Sequence, residues 1–340
     1  MTVSTQVRLA RRPVGEPTDD TYAFVELELP LLEEGQLLLR VVYLSLDPYM
    51  RGRMSAARSY ADPVAVGDVM VGGTVCVVEE SRHADHRPGD HVLSYSGWQT
   101  HAIAHGDHVR RLDPAVAPIS TALGVLGMPG FTAYAGLLEI GRPQPGETVV
   151  VAAATGPVGS ALGQIAKIKG ARAVGIAGGE QKRTALLEQF GFDVALDHRS
   201  PTFAGDLAAA VPDGVDVYFE NVGGMVAREV IRRMNLYGRV PVCGLVADYN
   251  AASAPVGPDR LPGFMRQVLT RSLTVRGFIQ SEFTRSHGRD FVRDMTGWVA
   301  DGKVRHREDV VDGLDSAPEA FRGLLAGRNF GKLLVRVSPE

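Results

Sequence analysis

The chain has 340 residues, 45% of them hydrophobic and 22% charged, which excludes a mainly disordered polymer and suits two domains of ordinary size. A formal net charge of −3 offers no field for nucleic acid or anionic lipid, and two cysteines, Cys76 and Cys243, support neither a disulfide framework nor a cysteine-rich zinc lobe. The polar, arginine-bearing start lacks the apolar run of a signal peptide, and no stretch approaches the roughly 20 apolar residues of a membrane span, so a soluble, cytoplasmic protein without nucleic-acid or membrane partners is expected.

The first third reads as β-structure. Residues 36–46 are an apolar, β-branched run. Residues 64–80 are a second, broken by Gly67, Gly72 and Gly73. Gly89-Asp90 then turns the chain into His91-Val92-Leu93. Short strands with glycine punctuation point to a small barrel or sandwich. Near Ile119 helix formers take over as far as Leu138, with a break expected at Pro129-Gly130.

From Glu147 the pattern alternates. Strands are expected at 147–153, 171–177, 194–197, 215–220 and 238–243. Helices are expected at 156–169, 181–190, 203–211 and 226–234, the second ended by Gly191 at the usual C′ position. This rhythm calls for an α/β fold with a parallel, doubly wound sheet. Residues 251–264, rich in Pro, Gly and Ala, read as a long irregular loop serving a binding site or an interface. A strand at 273–279, amphipathic helices at 289–300 and 317–325, and a closing strand at 332–337 complete the chain.

Ala154-Thr155-Gly156-Pro157-Val158-Gly159 falls where the first alternating strand meets its helix. It is the G-x-G-x-x-G pattern with alanine at the first glycine. Gly156 lets backbone approach a pyrophosphate, Gly159 lets the helix pack on the sheet, and the helix N-terminus offers free N–H groups to the anion. The second strand ends in Ala177-Gly178-Gly179 with no carboxylate for a ribose 2′-hydroxyl, and Lys182 and Arg183 follow. Cations oppose the positive end of a helix unless an anion joins them, so the pattern favours the 2′-phosphate of NADP over plain solvation. Glu220-Asn221-Val222-Gly223-Gly224 after the fourth strand is either a ligand-approaching loop or a plain turn.

Metal and triad chemistry find little support. His83, His86, His91, His101, His105 and His108 are crowded, but their spacing follows no helical metal pair, and no G-x-S-x-G elbow occurs. No metal is therefore expected.

Five further segments occur in one order. They are Tyr43 to Arg51 (YLSLDPYMR), Gly127 to Tyr134 (GMPGFTAY), the loop from Ala153 to Gly159, Tyr218 to Gly224 (YFENVGG), and Gly327 to Lys332 (GRNFGK). In these the chain resembles the zinc-independent branch of the medium-chain dehydrogenase/reductases that holds prostaglandin and 2-alkenal reductases. Cys243-Gly244-Leu245-Val246 with Tyr249-Asn250, and Gly257 to Pro262, resemble its bacterial NADPH-dependent curcumin reductase type in particular. The resemblance implies a GroES-like β-barrel catalytic domain, residues 1–126 and 283–340, and a Rossmann NADP-binding domain, residues 127–282, with the cofactor in the cleft. It implies that Gly156 to Gly159 hold the pyrophosphate and that Lys182, or Arg183, meets the 2′-phosphate. It implies that His198, Asn221, Cys243, Gly244, Leu245, Val246, Tyr249, Phe278, Ile279, Gln280 and Asn329 line the cofactor. Tyr49 and Met128 either line the substrate cleft or are ordinary core packing, and Tyr249 or the ribose 2′-hydroxyl is the expected catalytic hydrogen-bond donor. His198 stands where the mammalian members carry a tyrosine.

The implied activity is NADPH-dependent reduction of the carbon–carbon double bond of enones and enals, by a homodimer. A quinone reductase using the same cofactor, and a non-catalytic NADPH-binding protein acting by interaction, are the alternatives, since fold does not fix function.

Overall fold

The computed structural model describes residues 1–252 and 257–340. The chain forms two compact units. One comprises Met1–Leu123, Tyr249–Ser253 and Glu308–Glu340, and the other Gly124–Asp248 and Ala254–Arg307.

In chain order the first unit begins with β1 Val3–Leu9, β2 Tyr22–Glu28, β3 Gln36–Ser45, α1 Tyr49–Arg53, β4 Thr74–Ser81, β5 His91–Ser94, β6 His101–His105 and β7 Arg110–Leu112. The second unit runs through α2 Met128–Ala135, β8 Thr148–Ala152, α3 Pro157–Ile168, β9 Arg172–Ala177, α4 Glu180–Glu188, β10 Val194–Asp197 and α5 Phe203–Ala210. It continues through β11 Val215–Phe219, α6 Gly224–Ile231, β12 Met234–Val242, α7 Leu261–Thr270, β13 Thr274–Gly277 and α8 Thr284–Ala300. The chain then returns to the first unit as β14 Glu308–Asp312, α9 Ala317–Leu325 and β15 Lys332–Arg336.

The first unit is built on a sheet ordered β14-β15-β3-β4-β5-β7, with β6 also paired to β3. Only β14 and β15 run parallel; the other pairs are antiparallel. Strand β3 carries the sheet because nearly all of its ten residues are buried or partly buried, so both faces need cover. One cover is a cluster around the fully buried Trp98, whose ring stacks on Tyr22 at 5.7 Å and meets Phe321 edge-on at 5.7 Å.

A buried ion pair joins the two distant chain segments of this unit. Lys332 Nζ stands 2.7 Å from Asp47 Oδ1 and donates to the Leu46 carbonyl at 2.8 Å, while the Ser45 hydroxyl donates to the other Asp47 oxygen. The two side chains are 3% and 8% exposed.

The second unit holds a six-stranded parallel sheet ordered β10-β9-β8-β11-β12-β13. From β8 the chain winds outward through β9 and β10, then crosses back to β11 and winds the other way. The order therefore reverses between β8 and β11. The doubly wound parallel sheet expected from the alternating pattern is present, because strands such as β8, buried at all five residues, read as continuous apolar runs.

Several boundaries differ from expectation, each for a local reason. Pro129-Gly130 does not break a helix but opens α2, where proline lacks only an N–H that would have no partner. Gly130 is required there because a Cβ would stand 1.9 Å from the Val125 carbonyl oxygen. In the same way Pro262 lies in the first turn of α7, so the expected loop at 251–264 ends at Arg260; its residues 253–256 lie outside the described residues. Helix α6 stops at Ile231, and Met234 already belongs to β12, which starts four residues before the expected strand. Only Thr74–Ser81 of the run at 64–80 is strand. Strands β1, β2 and β14 were not expected. Residues 283–307, expected with the barrel, cluster with the second unit: Phe291 of α8 packs on Phe131 at 5.1 Å and Tyr134 donates to Asp294 at 2.7 Å. No helix among the described residues is long and apolar enough to cross a membrane.

The ion pair yields a stability prediction. Asp47→Ala leaves the Lys332 charge buried without its partner, and breaking such a pair typically costs about 3–5 kcal/mol. Urea unfolding of the variant is expected to show a loss of that size; a loss below about 1 kcal/mol would mean that the ammonium finds water instead.

Candidate functional site

In a doubly wound sheet, ligands bind outside the carboxyl ends of the strands where the strand order reverses. Here that position lies between β8 and β11, which run in register with Val151 beside Phe219. Two loops leave it, residues 153–156 and 220–223. They are the two glycine-bearing loops singled out in the sequence.

The first loop is shaped by close packing. Ala153 takes a left-handed φ of 47°, and Gly156 is the N-cap of α3, with Pro157 in the first turn. A Cβ on Gly159 would lie 2.6 Å from the Ala153 carbonyl oxygen and 2.7 Å from the Ala154 Cα. Both neighbours are backbone and cannot yield, so only glycine lets α3 begin this close to β8. Pro157 and Val158 remain partly exposed at the helix N-terminus, where unpaired N–H groups favour an anion.

The second loop is organised from beneath by Glu220. Its buried carboxylate accepts from the Val222 and Gly223 N–H groups at 2.7 and 2.8 Å. Burial raises its pKa, and these hydrogen bonds oppose the rise. Gly223 and Gly224 take φ values of 84° and 62°, which explains why both are glycine. Asn221 is left with a buried Oδ1 that meets no donor among the described residues. A buried acceptor without a donor costs free energy, so this atom fits a ligand that donates to it. The segment after β12 lies alongside: Val246 N–H donates to Asn221 O at 3.3 Å, and Ala247 N–H to Val222 O at 2.9 Å. Asn221, Cys243, Gly244, Leu245 and Val246 are thus neighbours. Burial, then the Glu220 charge, pushes the Cys243 thiol up to about 12, which makes it a poor nucleophile.

The end of β9 is a third element. Parallel register sets Ala177 beside Asp197, so Gly178 and Gly179 face His198 and Arg199. A Cβ on Gly178 would stand 2.8 Å from Arg199 Nε and 2.9 Å from His198 Cε1. Asp197 accepts from the Gly179 N–H at 3.0 Å and the Arg199 N–H at 2.9 Å. Those bonds outweigh its burial and hold its carboxyl below the usual range. Arg199 was not among the expected site residues. Its signal was a cation directly after a strand that pairs with β9. Arg183 is committed to its own surroundings, with Glu180 at 2.7 Å and the Ala195 carbonyl at 3.2 Å.

Other expected residues serve the fold in part. The Phe278 ring is buried against Phe219, Phe283 and Gly136, and its N–H donates to the Val242 carbonyl at 3.1 Å. Ile279 N–H donates to Glu282, and Gln280 opens the short helical turn that follows. Met128 begins α2, partly exposed. Three expected residues belong to the first unit: Tyr49, Tyr249 and Asn329. Asn329 donates to the Gly331 carbonyl at 2.8 Å. Tyr49 begins α1, and burial, followed by the Asp47 charge, Tyr95 and Tyr60, pushes its hydroxyl well up, so it is neutral. Tyr60 and Tyr95 stand near enough to Tyr49 to act on it, and both are largely exposed.

Comparison with known proteins places this arrangement. A family model described as the N-terminal domain of oxidoreductase matches residues 5–112, and one described as zinc-binding dehydrogenase matches residues 157–296. The NADPH-dependent curcumin reductase of Escherichia coli is 53% identical over 98% of this chain and 96% of its own. The chain belongs to the medium-chain dehydrogenase/reductases. Within that family, prostaglandin reductase 1 of Bos taurus is 40% identical over 96% of this chain and 97% of its own. The crystal structure of the medium-chain reductase CurA in complex with NADPH, from Vibrio vulnificus, superposes with a TM-score of 0.96 at 51% identity, covering 99% of this chain and 100% of that one.

A catalytic zinc does not fit the candidate site of this medium-chain reductase. Cys76 is buried inside β4, where burial pushes its thiol up to about 12, and Cys243 behaves alike. Among the described residues neither joins a converging set of metal-binding side chains. The set that does converge, His83, His105 and Asp107, contains no residue of the site.

The close packing at Gly159 makes a prediction. Gly159→Ala is expected to cost about 1–3 kcal/mol by overpacking and to weaken dinucleotide binding, read by thermal melting and fluorescence titration. Gly205→Ala, in open space on α5, serves as the control and is expected to gain about 0.5–1 kcal/mol. Equal behaviour of the two variants would remove Gly159 from the site.

Proposed function

We propose that this chain reduces the carbon–carbon double bond of α,β-unsaturated ketones and aldehydes with NADPH. The observation that carries the proposal is the pair of glycine loops at the strand-order reversal, in a chain 53% identical to a protein named NADPH-dependent curcumin reductase.

When bound, NADPH supplies the hydride that the β-carbon of the substrate receives. Gly156, Pro157, Val158 and Gly159 present the start of α3 to the pyrophosphate. Lys182, or Arg183, holds the 2′-phosphate, joined by Arg199 and flanked by His198. Asn221 accepts a hydrogen bond through its buried Oδ1, and Cys243 to Val246, Phe278 to Gln280 and Asn329 border the dinucleotide. As hydride arrives, negative charge gathers on the substrate carbonyl oxygen. Tyr249 donates its hydroxyl to that oxygen, and a donor aimed at developing charge lowers the barrier without a metal. The α-carbon then takes a proton from solvent. Tyr49 and Met128 contact the substrate, the neutral Tyr49 hydroxyl adding a donor without a charge.

We also propose a homodimer in the cytoplasm. Strand β13 is exposed along its whole length, and Leu236, Tyr237 and Leu269 of the same unit are exposed as well. An open apolar sheet edge is a liability that pairing with a second copy removes. The two cysteines are free thiols, as suits a reducing compartment.

The activity is tested by following NADPH consumption at 340 nm with enones, enals and quinones. Saturated carbonyl product is expected, with turnover unchanged by a chelator; allylic alcohol as main product, or turnover with quinones alone, would overturn the proposal. Tyr249→Phe is expected to lower kcat by about 10²–10³ with little change in cofactor affinity. Full turnover in that variant would remove Tyr249 as the donor.

Cofactor choice is tested separately. A charge-assisted bond to phosphate is worth about 1.5–3 kcal/mol, roughly 10- to 100-fold. Lys182→Ala and Arg199→Ala are each expected to raise the KM for NADPH by that order and leave that for NADH nearly unchanged. Equal damage to both would assign these residues to the fold.

A further inference from the structure

At one end of the first unit's sheet, three turns meet over a group of imidazoles. His83 follows β4, His105 closes β6, and Asp107 lies in the turn after it. His83 Nε2 is 3.1 Å from Asp107 Oδ1, and His105 Nδ1 is 3.4 Å from Asp107 Oδ2. One donor atom from each residue lies within 4.8 Å of the other two. Zinc binds imidazole nitrogen and carboxylate oxygen at about 2.0–2.2 Å in a tetrahedron, which sets neighbouring ligand atoms about 3.3–3.5 Å apart. Both imidazole–carboxylate separations are already close to that value, each to a different Asp107 oxygen. The remaining one closes by rotation of partly exposed side chains.

Two glycines leave room for the rings. A Cβ on Gly35 would stand 2.5 Å from His105 Nε2, and one on Gly106 2.5 Å from the His83 ring. Gly35 N–H donates to the Arg82 carbonyl and Gly106 N–H to the Gly35 carbonyl, both at 2.9 Å, so the turns before β3, after β4 and after β6 are tied together.

Hydrogen bonds also set the ring protons. His105 Nδ1 accepts from the Asp107 N–H at 3.3 Å, so its proton is on Nε2, and ligation through Nδ1 gives up that contact. His83 Nδ1 accepts from the Asp85 N–H at 3.1 Å, which places its proton on Nε2, facing Asp107. Binding a cation through Nε2 moves that proton to Nδ1 and gives up the Asp85 contact. His86 adds a buried Nδ1 with no donor among the described residues, its ring 5.2 Å from that of His83.

We propose that His83, His105 and Asp107 form a site for a divalent transition-metal ion. The donor set, two imidazoles and a carboxylate, suits zinc or nickel and not calcium or magnesium, which prefer all-oxygen shells. With three protein ligands, water completes the sphere. The ion joins the turn after β4 to the turn after β6 and shares no residue with the dinucleotide site. A ligand that binds only the folded state stabilises it, so the ion raises the resistance of the first unit to unfolding.

The test uses full-length protein freed of any affinity tag and stripped with chelator. Calorimetric titration with zinc chloride is expected to show one ion per chain, with a rise in melting temperature. His83→Ala and His105→Ala are each expected to weaken binding at least about tenfold and to abolish that rise, while His287→Ala, in the second unit, changes neither. No binding, or binding that survives both His83→Ala and His105→Ala, would overturn the proposal. Should the variants fold poorly, nitrogen-15 spectra of the wild-type imidazoles decide: zinc must move the His83 ring proton from Nε2 to Nδ1, and an unchanged tautomer rejects the site.

Discussion

Lys332 donates from its ammonium to the Asp47 carboxylate and to the Leu46 carbonyl oxygen, and all three lie away from water. Neither charge is tolerable alone in that place, so each holds the other where it is. Asp47 comes at the end of β3, the strand to which β4, β6 and β15 all pair. Lys332 opens β15, which arrives only after the chain has built the second unit. The pair thus fixes the seam at which the first unit is completed. It also fixes the corner that carries Tyr49 into α1.

The second unit depends on where side chains are missing. Gly159 lets α3 start against β8, and Gly163 lets the same helix pass over Phe192, whose ring would stand 1.9 Å from a Cβ there. These absences bring a helix N-terminus to the point where the strand order reverses. Glu220 does the complementary task on the other side of that point by gathering the N–H groups of its loop, which leaves Asn221 with an acceptor still to be satisfied.

The alternating half of the chain was legible because a parallel strand covered on both faces must be largely apolar, as in β8 and β11. Strand β1 was not, since Ser4 and Gln6 are buried and polar, satisfied by His101 and Gln99 from far along the chain. Pro129 and Pro262 read as breakers because a sequence does not reveal whether a proline stands inside a helix or at its first turn. The glycine loops could be found one at a time, but that two of them flank one reversal follows only from the strand order. Arg199 escaped notice because its nearness to Gly178 is set by the pairing of β9 with β10. His83, His105 and Asp107 likewise meet through connections about 20 residues apart, and no local spacing announces them.

The split of the first unit across the chain bears on how the protein is made. Its first 123 residues leave the ribosome without Phe321, Leu333 and Val335, which complete the cluster around Trp98, and without β15, which covers one edge of β3. The nascent segment therefore waits with an open sheet edge and an unfinished apolar face while the second unit is translated. A message truncated before codon 332 yields a product in which that wait never ends, with Asp47 buried and unanswered, and such a chain presents the features that chaperones and proteases recognise.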